Sequence, residues 1–163
     1  MSWTDRKAIE TILKLRDKFK VDTFIETGTF FGINAQLHSK NFKVIYTCEK
    51  NREYFEKALT RLAIKLNVHI THEESQILLK RIINKKDIKK PIIYLDAHFY
   101  DKNLPKNKRF VVIDELKALK GYKNCIIIIH DFDNNLGHIN YDNISLNLNL
   151  IKKDLKKVNP RFY

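Results

Sequence analysis

Apolar positions along the chain follow two alternating rhythms. From Thr4 to Phe19, residues Ala8, Ile9, Ile12, Leu13, Leu15 and Phe19 fall near the helical period, with Thr4 as the cap, and predict an opening amphipathic helix. Thr23-Phe24-Ile25 is a short β-prone run that ends in a turn holding Gly28 and Gly32, and a helical stretch follows from about Ile33 to His38. The alternation then repeats, with a strand over Lys43 to Cys48, a helix over Glu53 to Leu66, a strand over Val68 to Thr71 and a helix over Glu74 to Asn84. Pro91 opens Ile92-Ile93-Tyr94-Leu95, an apolar run with the length and bounds of a fully buried parallel strand. A polar loop from Phe99 to Lys108 leads into a helix from Phe110 to Leu119, closed by Gly121 as its C′ residue. Cys125 to Ile129 is the fifth and most apolar strand, and Ile144 to Val158 the last helix.

Five strands alternating with helices predict an α/β fold in which a mostly parallel sheet lies between two helix layers, because parallel pairing needs crossover connections. The 163 residues suit one such Rossmann-like three-layer sandwich, with an N-terminal helix (1–20), a core (22–132) and a C-terminal helix (133–163). The first twenty residues are too charged for a secretory signal, and Cys125 to Ile129, the longest strictly apolar run, is too short to span a bilayer. The expectation is therefore a cytoplasmic protein with no membrane partner. Cys48 and Cys125 sit in apolar strands without metal or redox spacing and read as buried free thiols. The net charge of +12 is distributed over separate lysine groups, Lys14 to Lys20, Lys80 to Lys90, Lys102 to Lys108 and Lys152 to Lys157, and not along one stripe interleaved with aromatics. It favours solvated helix faces over a nucleic-acid surface.

In such sheets ligands bind outside the carboxyl ends of the strands, where the strand order reverses. The first strand ends in Glu26-Thr27-Gly28-Thr29-Phe30-Phe31-Gly32, where Gly28 allows close backbone approach and Gly32 lets the next helix pack tightly with its N–H groups toward the cleft. The second ends at Glu49, 21 residues after Gly28, the spacing at which a doubly wound nucleotide site places a carboxylate on ribose hydroxyls. The competing reading of Glu49 is a cap for the helix beginning near Asn51. After the third strand, Glu74 or Ser75 can cap the next helix and also reach an adenine amino group. The fourth and fifth strands end in Asp96-Ala97-His98 and His130-Asp131, so that carboxylates and imidazoles converge on one rim. Charged groups directly after strongly apolar strands must be paired, metal-bound or face a cleft.

The order Glu26 to Gly32, then Glu49, then Tyr94-Leu95-Asp96-Ala97-His98, then Asp114-Glu115-Leu116, then His130-Asp131-Phe132 resembles a group of small Rossmann-like, class I S-adenosylmethionine-dependent methyltransferases, over roughly residues 22 to 132. The resemblance implies strand order 3-2-1-4-5 and a glycine loop cradling the methionine part of S-adenosylmethionine. It also implies an acid after the second strand on the ribose and an acid after the fourth facing the sulfonium and acceptor. Carried over by position these are Glu26, Gly28 and Gly32, then Glu49, then Asp96; Thr27 and Thr29 belong to the same loop. Two features depart from the pattern. Phe30 stands where such loops often have a third glycine, which predicts a differently shaped loop. The antiparallel strand pair usual after the fifth strand is missing before Tyr163, which predicts that the last helix or a second copy of the chain, as a homodimer, covers the fifth-strand edge.

Methyl transfer demands alignment and removal of a proton from the acceptor. Asp96, His98, His130 and Asp131 are the candidate catalytic groups, and Asp96 with Asp131 forms a candidate Mg²⁺ site through oxygen ligands. The fourth strand carries Asp-Ala-His-Phe, not the Asn/Asp-Pro-Pro-aromatic motif of base-nitrogen methylation, which leaves nucleic acid disfavoured and a small-molecule or sugar oxygen or nitrogen preferred. The loop from Phe99 to Arg109 is expected to form part of a lid, with Lys102, Lys106, Lys108 and Arg109 meeting an anionic acceptor. The alternatives are a non-catalytic nucleoside-binding or assembly domain and, less favoured without a Gly-x-Gly-x-x-Gly pattern, an NAD-binding oxidoreductase.

Overall fold

The computed structural model describes residues 5–97, 110–130, 132 and 146–161. Among the described residues eleven elements alternate after the first helix: α1 (Arg6–Phe19), β1 (Thr23–Thr27), α2 (Ile33–His38), β2 (Val44–Glu49), α3 (Arg52–Leu62), β3 (Val68–His72), α4 (Ser75–Ile83), β4 (Ile92–Leu95), α5 (Val111–Ala118), β5 (Ile126–Ile129) and α6 (Leu148–Val158). The strands form one parallel sheet in the order β3-β2-β1-β4-β5, as the sequence predicts. β1 lies at its centre and is buried at every position, as is β4, whereas the outer strands β3 and β5 are only partly covered.

Alternate residues of each strand feed two cores, because successive side chains point to opposite faces. Ile25, Tyr46, Cys48, Ile93 and Leu95 pack with Leu78, Leu79 and Ile82 of α4, Val112 and Leu116 of α5, and Ile151 and Val158 of α6. Their neighbours Phe24, Ile45, Ile92 and Tyr94 pack on the other face with Ile12 of α1 and with Phe42. The chain is thus a three-layer αβα sandwich. Among the described residues no helix is long and apolar enough to cross a membrane.

Several boundaries differ from expectation for identifiable reasons. Asp5 caps α1, its Oδ1 accepting from the N–H groups of Lys7 and Ala8, while Thr4 lies outside the described residues. α3 stops at Leu62, four residues short of the expected Leu66, because Lys65 N–H closes a turn on the Leu62 carbonyl and Asn67 Nδ2 anchors the chain to the carbonyls of Ser39 and Phe42. Ile64 and Leu66, which extend the helical pattern, are 80% and 93% exposed. Gly121 is not the C′ residue of α5: the helix ends at Ala118, and Gly121, at φ 79°, bonds its N–H to the Lys157 carbonyl at the end of α6. α6 begins at Leu148 behind an Asn147 cap, and positions 144 and 145 lie outside the described residues. Both cysteines are free, but only Cys48 is buried; Cys125 is half-buried on the face of the sheet that α6 covers. β5 is the edge of the described sheet, and an apolar groove of about 420 Å³ runs between it and α6.

Candidate functional site

The carboxyl ends of β1, β2, β3 and β4 open into one cleft of about 770 Å³. It lies where the order reverses between β1 and β4. Gly28, Glu49, Glu74, Ser75 and Asp96, five of the predicted residues, line it together with Phe30, Cys48, Lys50, Asn51, Tyr54, Glu73, Gln76, Ala97, Val111 and Asp114. Glu26, Thr27, Thr29 and Gly32 are placed behind its wall: the first three are almost wholly buried, and Gly32 starts α2.

The loop after β1 is tied to β2 through the N–H groups of Gly28 and Thr29, which both donate to the Cys48 carbonyl at 3.1 and 2.9 Å. Gly28 has φ 78°, and a Cβ there would stand 2.6 Å from the Asp96 carbonyl oxygen, so glycine permits β1 and β4 to converge at the cleft. At Gly32 a Cβ would press on the Leu62 and Ala58 side chains at 3.2 and 3.3 Å, which accounts for the close seat of α2 on α3. Phe30 takes φ 50°, the left-handed conformation that glycine favours, and its ring is held by Phe31 and Tyr54 at centroid distances of 4.0 and 4.6 Å. The departure from a glycine is an aromatic wall added to the cleft.

Glu49 performs two tasks. Its Oε2 accepts from Phe30 N–H at 2.9 Å and its Oε1 from Asn51 N–H at 2.8 Å, so one carboxylate fastens the β1 loop to the start of α3. The cap of α3 is Asn51 itself, whose Oδ1 accepts from Tyr54 N–H. Each Glu49 oxygen keeps a lone pair for a ligand hydroxyl. Glu74 occupies the cap position of α4 but makes no side-chain cap bond; its Oε2 accepts from Gln76 Nε2 at 2.5 Å. Ser75, expected as the other cap, has a buried Oγ with no hydrogen-bond partner.

Asp96 is held through its backbone, which donates to Thr27 Oγ1 at 3.1 Å, and through His130, whose Nδ1 lies 3.1 Å from Asp96 Oδ1. The other ring nitrogen, Nε2, lies 3.4 Å from Asp5 Oδ2. Asp5 therefore brings the start of α1 to the rim, a link no motif predicted. An imidazole between two carboxylates can pass a proton from one side to the other. His98 and Asp131 lie outside the described residues, as does the Lys102, Lys106, Lys108 and Arg109 loop. Among the described residues no three His, Cys, Asp or Glu side chains gather as a metal site, and the Asp131 half of the expected Mg²⁺ pair lies outside them.

Two carboxyls lie behind the cleft. Burial raises Glu26 to about 8, against the lowering effects of hydrogen bonds from Asn34 at 2.6 Å and Thr47 at 3.0 Å. Burial likewise raises Glu115, which is fully inaccessible, to about 7. The hydroxyls of Thr27 and Ser75 act in the opposite direction from beside it, yet neither Glu115 oxygen has a partner in hydrogen-bond geometry.

No protein-family model matches the sequence, and no curated protein matches it. Solved structures do. The Podospora anserina methyltransferase PaMTH1, solved bound to S-adenosylhomocysteine, superposes with a TM-score of 0.57 at 16% identity over 78% of this chain and 53% of that one. A SAM-dependent methyltransferase from Anabaena variabilis gives 0.55 at 16% identity over 75% of this chain and 49% of that one. The methyltransferase domain of bacterial CtHen1-CN gives 0.55 at 14% identity over 76% and 64%. The chain spans between about half and just under two-thirds of the length of these structures. With the strand order and the helix layers, these likenesses establish that the chain has the Rossmann-like fold of the class I S-adenosylmethionine-dependent methyltransferases.

Proposed function

We propose that this protein is an S-adenosylmethionine-dependent methyltransferase acting on an oxygen or nitrogen of a small molecule or sugar. The observation that carries the reading is the convergence of Gly28, Glu49 and Asp96 on a single cleft at the point where the strand order reverses. The cleft also fits the cofactor in detail. Gly28 lets the ends of β1 and β4 converge at the cleft, Glu49 offers lone pairs for ribose hydroxyls, and Glu74 and Ser75 line the side where an adenine amino group is expected.

When bound, S-adenosylmethionine supplies an already activated methyl group. The chain's residues then have to orient the acceptor and remove its proton. Asp96 is the proposed base, with His130 able to accept the proton at Nδ1 and relay it toward Asp5. Phe30 and Tyr54 exclude water from one side.

Calorimetry with S-adenosylmethionine, S-adenosylhomocysteine and NAD tests the reading: the first two are expected to bind, and tight binding of NAD alone would overturn it. Glu49→Ala is expected to weaken S-adenosylmethionine by about 1 to 3 kcal/mol through loss of a charged hydrogen bond. Unchanged affinity in the same titration would remove Glu49 from the site. Asp96→Asn is expected to lower turnover about 100-fold or more while leaving cofactor affinity within a few-fold. Activity retained across a panel of hydroxyl and amine acceptors would make Asp96 structural.

A further inference from the structure

Among the described residues the two most exposed large apolar side chains are Leu66 and Ile64, at 93% and 80%, and Leu59 nearby is 46% exposed. All three belong to α3 or to the turn that joins it to β3, the edge strand beyond β2. Leu59 lies one turn along α3 from Phe55, whose ring stacks on His72 of β3 at 5.1 Å, so the leucine flanks the strand. Ile64 and Leu66 stand where the chain enters it. β3 pairs with β2 in unbroken parallel register from Val68 to His72 and carries no lysine, proline or bulge, the devices that normally blunt an edge. Ile45 N–H donates to the Asn67 carbonyl, so the alternation of the ladder turns the backbone groups of residues 67, 69 and 71 toward β2. Ile70, at the midpoint of the strand, turns its N–H and C=O outward.

Charge on this face is balanced, in a chain that carries +12. From Arg52 to Glu73 four cations stand against three carboxylates, and most are already paired: Arg52 with Glu56 at 3.0 Å, Lys57 with Glu53 at 2.5 Å, and Glu73 with Arg81. Arg61 donates to the Phe31 carbonyl at 2.7 Å. The opposite edge differs. Lys123 lines the groove between β5 and α6, α6 adds the exposed Lys152, Lys153 and Lys156, and the carboxylate of Asp154 is held by Lys157. Two copies meeting there bring like charges together, and two copies meeting at β3 do not.

We propose that two copies of this chain associate through β3, antiparallel about a two-fold axis at Ile70, joining their sheets and covering Leu59, Ile64 and Leu66 of both. The register is self-complementary, as a two-fold contact demands: Ile70 faces Ile70, His69 faces Thr71 and Val68 faces His72, with no like charges opposed. The outward N–H and C=O of the two Ile70 residues exchange a pair of hydrogen bonds. Strand direction reverses across the axis, so the two clefts open on opposite rims and each copy keeps its own. The association is independent of what the cleft binds.

Sedimentation velocity of the whole protein over roughly 1 to 100 μM tests it, because a dimer of this kind follows mass action. Wild-type protein is expected at twice the chain mass, and L66K to raise the dissociation constant about tenfold or more. The Leu66 side chain lies in solvent in a single copy, so L66K is expected to melt at the wild-type monomer's temperature. L148K, on the 40% exposed leucine that lines the β5 and α6 groove, is the control and is expected to leave the dimer intact. Hydrogen exchange at the Ile70 amide is expected to be slow in the dimer and fast in the L66K monomer. A wild-type protein that is monomeric throughout that range overturns the proposal. So does a dimer that L148K breaks and L66K leaves, which places the contact at the other edge, and so does a dimer whose Ile70 amide exchanges as fast as the monomer's.

Discussion

Gly28→Ala is expected to destabilise the protein by roughly 2 to 4 kcal/mol and to abolish cofactor binding. Two causes act together. The residue sits at φ 78°, where an L side chain is strained, and its Cβ would meet the Asp96 carbonyl oxygen at 2.6 Å and the Ala97 Cα at 2.9 Å. Both are backbone atoms, so no rotamer change relieves the contact. The end of β4 has to move, and with it the Thr27 Oγ1 bond to Asp96 N–H and the Asp96 carboxylate opposite His130. Gly121→Ala is the matched control, because it has φ 79° and nothing within 4 Å of its new Cβ. It should cost about 1 kcal/mol, the conformational strain alone. Urea unfolding of the two variants separates strain from collision, and equal losses at the two positions would mean that the approach of β1 to β4 is not a constraint.

That collision explains why the strand ends were legible and much of the site was not. Glycine at the end of a β-prone run, an acid about twenty residues later and an acid after the fourth strand are local signals, since each is fixed by what a strand end must do. The fold class follows from the alternation of short apolar runs with helical periods and the strand order from the methyltransferase resemblance; the two-sided burial of β4 is written in its unbroken apolarity, whereas that of β1, which carries Thr23, Glu26 and Thr27, is not. Where periodicity failed, the competing force was local: Ile64 and Leu66 continue a helical pattern but lie in an exposed turn that Asn67 pins from its side chain. Site residues supplied by distant elements left no such trace. Asp5 reaches His130 only because α1 packs across the sheet end, and Tyr54 becomes a wall only because Phe30 turns toward it. Glu115 stood inside a motif that could be quoted, but its complete burial is a property of the packed elements and not of the motif.

Glu26 carries the second large effect. Its carboxyl is 1% exposed and raised to about 8 by burial, with Asp96 and Glu49 adding repulsion and Asn34 and Thr47 opposing it. An unfolded glutamate titrates near 4.5, so from about pH 4.5 to 8 the folded state holds a proton that the unfolded state has released. Stability contributed by that proton is complete below about 4.5 and is lost as pH rises through about 8. Cofactor-free protein is therefore expected to lose on the order of a few kcal/mol between pH 5 and pH 9 from this group. Glu26→Gln should flatten much of that decline. The variant can keep the local bonds, since the amide oxygen still accepts from Asn34 and its NH₂ can donate to Thr47, whose hydroxyl then turns to Thr29 at 2.6 Å. Glu115 leaves a residual slope confined to pH values below about 7, which is how the two buried carboxyls are told apart. Denaturant midpoints at pH 5, 7 and 9 measure both; a wild-type protein as stable at pH 9 as at pH 5, with Glu26→Gln tracking it, would show that Glu26 is ionised in the folded state at no cost.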